Sequence, residues 1–215
     1  MLWCRSKTDA KVHEGKCRMI HQEMERINAL FNNKSIRKIL LKVRIPLFLA
    51  ALVLLVPNIK PELFLPGFLV TLLGSLFQAW CFGSLDKNRS LAIQGPYALM
   101  RNPMYQGRFF LLFGCLLLLG NIWLLLVFTV LYYFYMTNRV KREEQHLRGI
   151  FGEDYEAYCR DVHRFVPTFK GRYMKNIWFF KWDLFRENHG HWNFLAVLAS
   201  YGVFYLFTFA ILHAH

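Results

Sequence analysis

Acidic residues are scarce in this chain: 14 Asp and Glu stand against 27 Lys and Arg, a formal net charge of +13 over 215 residues. Paired cysteines are missing too. Cysteines 4, 17, 81, 115 and 159 form no Cys-x-x-Cys, so neither a disulfide framework nor a thiolate metal site is expected, and the thiols read as free. No Gly-rich loop follows a strand pattern and no βαβ pattern exists, which excludes the doubly wound nucleotide-binding folds. The opening stretch MLWCRSKTDAKVHEGKCR has no apolar run of the signal-peptide kind. The His189/His191 and His213/His215 pairs have no carboxylate or thiolate at ligand spacing, so no metal is expected. Internal repeats and low-complexity tracts are absent as well.

What the chain has in excess is apolar residues, 55% of the total with 17% aromatic. They fall in five blocks: Ile45–Val56, Leu63–Leu85, Phe109–Gly120, Ile122–Met136 and Phe194–Leu212. A membrane-crossing helix needs roughly 20 mainly apolar residues. The second and fifth blocks meet this directly. The first does so if Leu40, Leu41 and Val43 join it, with Lys42 and Arg44 snorkelling. Blocks three and four are parted only by Gly120 and Asn121, and read as a helical hairpin over 109–136. The expectation is an all-α integral membrane protein with about five transmembrane helices. Its parts are a cytoplasmic N-terminal surface-helix region (1–40), a membrane core (41–167), an interfacial amphipathic segment (168–192) and a C-terminal transmembrane helix (193–215).

The basic residues orient it. Eleven precede Ile45, Lys60 alone lies between blocks one and two, four lie between two and three, none between three and four, and eleven between four and five. By the positive-inside rule the N-terminus, the loop Asp86–Arg108 and the segment after block four face the cytoplasm, and the C-terminus lies outside. The charge excess thus reads as topology and contact with anionic lipid heads, with no nucleic-acid partner needed. The NIWFFKWDLF stretch, Asn176–Phe185, places Trp178, Trp182 and Phe185 at helical spacing and reads as an interfacial amphipathic helix.

Two polar segments, Asp86–Arg108 and Asn138–Pro167, then share the cytoplasmic side and can close over one end of the bundle; they contain GPYALMRNPMYQG (95–107) and EEQHLRGIFGEDYEAYCRDVHRFVP (143–167). With a hairpin between them they resemble the isoprenylcysteine carboxyl methyltransferase family, whose relatives include phospholipid N-methyltransferases. The first motif is carried by Gly95, Pro96, Tyr97, Arg101, Pro103, Tyr105 and Gly107. The second is carried by Glu143, Glu144, Leu147, Phe151, Gly152, Tyr155, Tyr158, Val162, Arg164, Phe165 and Pro167. Asn102 stands where the family usually has histidine, and His163 where it often has proline. An asparagine keeps a hydrogen bond but carries no positive charge.

The resemblance implies S-adenosylmethionine as cofactor, held by Gly95, Tyr97, Arg101, Asn102, Pro103, Met104, Tyr105 and Gly107 with Glu143, Glu144, Arg164, Phe165 and Pro167. It also implies a lipid-like or prenylated acceptor at the cytoplasmic face of the inner membrane, oriented by Arg101 with Glu143 or Glu144. The residue types suit this: tyrosine faces for adenine or a cation, an arginine fork for a carboxylate, glycines for close approach. Of the two glutamates Glu143 is favoured, one turn before Leu147. Blander readings stand beside these. Arg101 can bind lipid phosphate. Arg139 with Glu143 and Glu144 with Arg148 are i,i+4 pairs of a solvated helix face. Tyr155 and Tyr158 can be interfacial anchors, and Gly-Pro-Tyr an ordinary turn. Two other functions remain open: a nicotinamide-dependent reductase of the sterol-reductase type, and a non-catalytic scaffold that keeps the cofactor pocket.

Overall fold

The computed structural model describes residues 56–86, 90–169 and 171–211, all within one compact unit, Leu49–His215. The first apolar block before Val56, the N-terminal region 1–40 and the His213/His215 pair lie outside the described residues. Among the described residues every regular element is helical. Two short 3-10 turns, Val56–Asn58 and Pro61–Leu63, lead into α1 (Phe64–Ser84). A buried 3-10 turn, Gly95–Ala98, precedes α2 (Pro103–Leu117), which starts on a proline whose missing N–H costs a first turn nothing. Then come α3 (Ile122–Asp161), α4 (Gly171–Met174), α5 (Trp182–Glu187) and α6 (Gly190–Tyr205), which runs on as a π-helical turn, Leu206–Ile211.

The α2–α3 hairpin turns where Gly120 and Asn121 predict it. Gly120 takes the left-handed region (φ 59°), and the Asn121 side chain accepts from Leu124 N at 3.2 Å, capping α3. Phe109 of α2 stacks on Phe128 of α3, ring centres 5.8 Å apart.

Gly67 and Gly74 of α1 and Gly107 and Gly114 of α2 set the α1–α2 pair. A Cβ on Gly74 would lie 2.4 Å from Leu111 N, and one on Gly114 2.5 Å from Thr71 N and 2.7 Å from Gly67 O. The two backbones touch, as small residues permit in apolar helices. Helix α6 closes on the same seam: the Tyr201 hydroxyl is 2.7 Å from Thr71 Oγ1 and donates to Gly67 O at 3.1 Å.

Among the described residues two helical stretches, Pro61–Ser84 and Gly190–Phe209, are long and apolar enough to cross a membrane. On α1, Leu65, Leu69, Leu73 and Leu76 form an exposed stripe that suits lipid. The count of five crossings is not reached among the described residues. Helix α2 has 15 residues, about 22 Å long against roughly 30 Å of hydrocarbon. Helix α3 has 40 residues, about 60 Å, so its apolar first half continues as a polar rod well beyond a bilayer. It bends at Gly152, whose φ of 51° and ψ of −122° are not helical.

The segment read as an amphipathic helix over 176–185 is a correction. Helix begins only at Trp182, and the chain before it docks by its backbone on the end of α1. Lys181 N donates to Gly83 O at 2.9 Å, Ser84 Oγ donates to Phe179 O at 2.9 Å, and Gly95 N donates to Asn176 O at 2.9 Å. Asn188 Nδ2 adds bonds to Phe82 O and Leu85 O. The bonds from Lys181 and Asn188 satisfy orphan carbonyls at the end of α1, and the local helical spacing cannot compete with the set. Trp178 is left 87% exposed, stacked on Trp80.

Candidate functional site

Beyond the apolar part of α3, its inward face reads Val140, Glu144, Leu147, Phe151, spaced at i, i+4, i+7 and i+11. That spacing turns Glu144 inward, 1% exposed. A lone buried carboxylate is costly, and this one is heavily partnered. Arg164, on the chain after α3, places Nε 3.1 Å from both carboxylate oxygens and Nη2 2.5 Å from Oε2. Asn102, at the start of α2, donates Nδ2 to Oε1 at 3.1 Å. This is the N-cap residue of α2, yet its side chain makes no cap; the amide is committed to Glu144 instead. Arg101 Nε stands 3.2 Å from Oε1 as an ion pair but makes no hydrogen bond, while its Nη1 donates to Cys159 O at 3.1 Å. Two guanidiniums around one carboxylate leave the cluster with one positive charge in excess. Hydrogen bonding to Glu144 holds the Arg164 guanidinium above its ordinary pKa.

Backbone bonds lock the two motifs into this geometry. Arg101 N donates to His163 O at 2.9 Å and Thr168 N to Leu99 O at 2.7 Å, while His163 N donates to Thr168 Oγ1. Gln106 Nε2 donates to Phe165 O at 2.5 Å. Beneath them Ala98, Tyr155, Tyr158, Val162 and Tyr173 form a small core, and the Tyr158 hydroxyl donates to Tyr97 O at 2.6 Å. Burial pushes the Tyr158 phenol well up, so it stays a neutral donor. Gln106 and Thr168 were not legible as site residues. The only signal was Gln106 lying one turn beyond Asn102 on the same helix face.

Glu143 is exposed and accepts from the Tyr105 hydroxyl at 2.6 Å, and Tyr132 Oη donates to Tyr105 O at 2.7 Å. The expectation that Glu143 faces inward is therefore corrected: Glu144 does. The Glu144–Arg148 surface pair is corrected with it, since Arg148 pairs with Glu156 at 2.7 Å. Tyr155 and Tyr158, 1% and 2% exposed, are core residues rather than interfacial anchors. Gly95 and Gly107 make close approaches, but to α1: a Cβ on Gly95 would meet Ser84 Oγ at 2.1 Å, and one on Gly107 would meet Gln78 Cγ at 2.8 Å. Pro103 and Tyr97 are buried, Met104 and Phe165 half-buried, and Pro167 exposed. The residues gathered on one carboxylate are thus Arg101, Asn102 and Arg164, with Tyr105 and Glu143 alongside.

Among the described residues the fold is all-helical, with two helices long and apolar enough to cross a membrane, and it carries a cationic, carboxylate-centred cluster around Glu144. Residues 68–154 match the phospholipid methyltransferase family, a stretch that includes Arg101, Asn102 and both glutamates and stops short of Arg164. Among curated proteins, the protein-S-isoprenylcysteine O-methyltransferase of Schizosaccharomyces pombe is 34% identical over 38% of this chain and 35% of its own length. A probable protein-S-isoprenylcysteine O-methyltransferase of Oryza sativa subsp. indica is 33% identical over 38% and 43%. The protein-S-isoprenylcysteine O-methyltransferase of Xenopus laevis is 31% identical over 46% and 34%. The resemblance read from the two motifs holds, and the chain spans well under half the length of these relatives. No solved structure matches it.

Proposed function

We propose that the protein is an integral membrane methyltransferase that uses S-adenosylmethionine to methylate an amphiphilic acceptor at the cytoplasmic face, with a prenylcysteine-like carboxylate as the acceptor suggested by the relatives' names. The observation that carries this reading is Glu144, through which Asn102 and Arg101 of the first motif and Arg164 of the second become one cluster.

The residues fit the cofactor. Arg101 Nε is buried with no hydrogen-bond acceptor, inside a cluster with surplus positive charge, and so offers an N–H and a field to a carboxylate. Glu143 has one oxygen on Tyr105 and an exposed carboxylate for an ammonium or for ribose hydroxyls. S-adenosylmethionine, when bound, supplies an electrophilic methyl group on sulfur. The chain's part is to bind, align and dehydrate. Arg101 and Arg164 orient a carboxylate, and Glu144 keeps both guanidiniums from swinging out to water. The core under Tyr97 and Tyr158 excludes solvent, and alignment with water excluded supplies most of the acceleration for such a transfer. An acceptor with an apolar tail can lie along the lipid-facing helices while its head reaches the cluster.

Isothermal titration of the purified full chain separates this reading from its rivals. S-adenosylhomocysteine is expected to bind in the micromolar range and NADPH not at all; NADPH binding alone would instead favour a reductase. The proposed topology puts Lys60 outside and Lys141 and Lys175 in the cytoplasm, all three of them exposed side chains. An impermeant amine reagent on intact cells is expected to modify Lys60 only. Labelling of Lys141 would put the cluster on the wrong side of the membrane for a cytosolic cofactor.

A further inference from the structure

Arg108 stands where a cation is costly. It lies in the second turn of α2, directly before the apolar run Phe109–Phe113, and an unmatched charge there is expensive unless it snorkels or finds an anion. Among the described residues it enters no ion pair. Its guanidinium carbon instead lies 5.8 Å from the centre of the Tyr105 ring. Arg139 of α3 is the second cation at the same tyrosine, against the Tyr105 hydroxyl and near Glu143 and Tyr135. Arg108 is half-buried, whereas Tyr135 and Arg139 are exposed, so this corner of the hairpin opens outward. The hairpin also exposes Phe110, Leu112, Val127 and Leu131. Arg108 and Arg139 with the single carboxylate of Glu143 leave one positive charge without a match. The Glu144 clamp does not use it.

We propose that Arg108 and Arg139, both set against Tyr105, bind the phosphodiester of an anionic membrane phospholipid whose acyl chains lie on the exposed apolar face of the α2–α3 hairpin. A phosphodiester supplies the missing negative charge and takes charge-assisted bonds from two guanidiniums. The acyl chains match the leucines and phenylalanine beside it, which a free phosphate cannot do. The site borders the proposed cofactor pocket through Tyr105 and Glu143, but its lipid retention is read with no cofactor present.

Native mass spectrometry of the full chain, released from micelles carrying equal phosphatidylglycerol and phosphatidylcholine, tests it. The wild type is expected to retain phosphatidylglycerol about tenfold better than phosphatidylcholine, and Arg108→Gln to lose that preference, as removal of one charged hydrogen-bond partner implies. Arg108→Lys keeps part of it. Equal retention by wild type and Arg108→Gln, or equal retention of the two lipids by the wild type, overturns the proposal. Full displacement of the lipid by millimolar inorganic phosphate also overturns it, by making the site one for a free anion. Should Arg108→Gln not fold, Arg139→Gln on the exposed rim is expected to weaken retention about threefold, and unchanged retention there counts against the site.

Discussion

Glu144→Gln is expected to lower turnover at least a hundredfold and to destabilise the protein by about 3–5 kcal/mol, the usual cost of removing one partner from a buried ion pair. Glutamine keeps the shape but not the charge, so Arg101 and Arg164 would face one another across an uncompensated site. One guanidinium would have to leave, and the loop after α3 with it. Glu143→Gln is the internal control for stability. Glu143 is exposed, with the Tyr105 hydroxyl bonded to it and Arg139 nearby, so its replacement is expected to cost about 1 kcal/mol of stability or less. Thermal unfolding and methyl-transfer assays on the two variants check both effects. Equal behaviour of the pair would mean that the carboxylate inside the cluster is not what organises it.

Gly114→Ala is expected to cost about 2–3 kcal/mol, with a clear drop in the thermal midpoint. The new Cβ would sit 2.3 Å from Thr71 Oγ1, 2.5 Å from Thr71 N and 2.7 Å from Gly67 O. Two of these three atoms are backbone and cannot rotate away, so α2 must back off α1. Thr71 Oγ1 and Gly67 O, the atoms the new Cβ crowds, also hold the Tyr201 hydroxyl, so the polar anchor of α6 is disturbed in the same step. Gly149→Ala gives the opposite sign. A Cβ there meets nothing within 4 Å, and an exposed helical glycine replaced by alanine gains about 0.5–1 kcal/mol. If both substitutions shift the midpoint alike, close helix approach is not what fixes the α1–α2 pair.

Elements whose signal is local were legible in the sequence. The Gly120–Asn121 hairpin was readable because a left-handed glycine and an asparagine cap suffice to end one helix and start another. The apolar lengths before Leu85 and after Phe194 were readable by counting. The identity of the inward glutamate was not, since Glu143 and Glu144 are both one turn from Leu147. What decides it lies far along the chain: Asn102 is 42 residues and Arg164 20 residues from Glu144. The same holds for Trp178 to Phe185, whose helical spacing is overridden by bonds to the end of α1 that no local window contains. Asn102 shows the limit from the other side. Its residue type predicted a retained hydrogen bond but not its partner; the structure gives that bond to Glu144 and none to the first turn of α2.

The measurement that bears most directly on the central claim is transfer of a labelled methyl group from S-adenosylmethionine into organic-extractable acceptor by the purified full chain, with a membrane lipid extract and a farnesylated cysteine analogue as acceptors, run beside Arg101→Lys. The account predicts labelled product from the wild type with at least one acceptor, and a loss of roughly tenfold or more in the lysine variant, which keeps the charge but not the planar fork that meets a carboxylate. Labelled product undiminished in Arg101→Lys, or no labelled product from a wild type that binds S-adenosylhomocysteine, would contradict it.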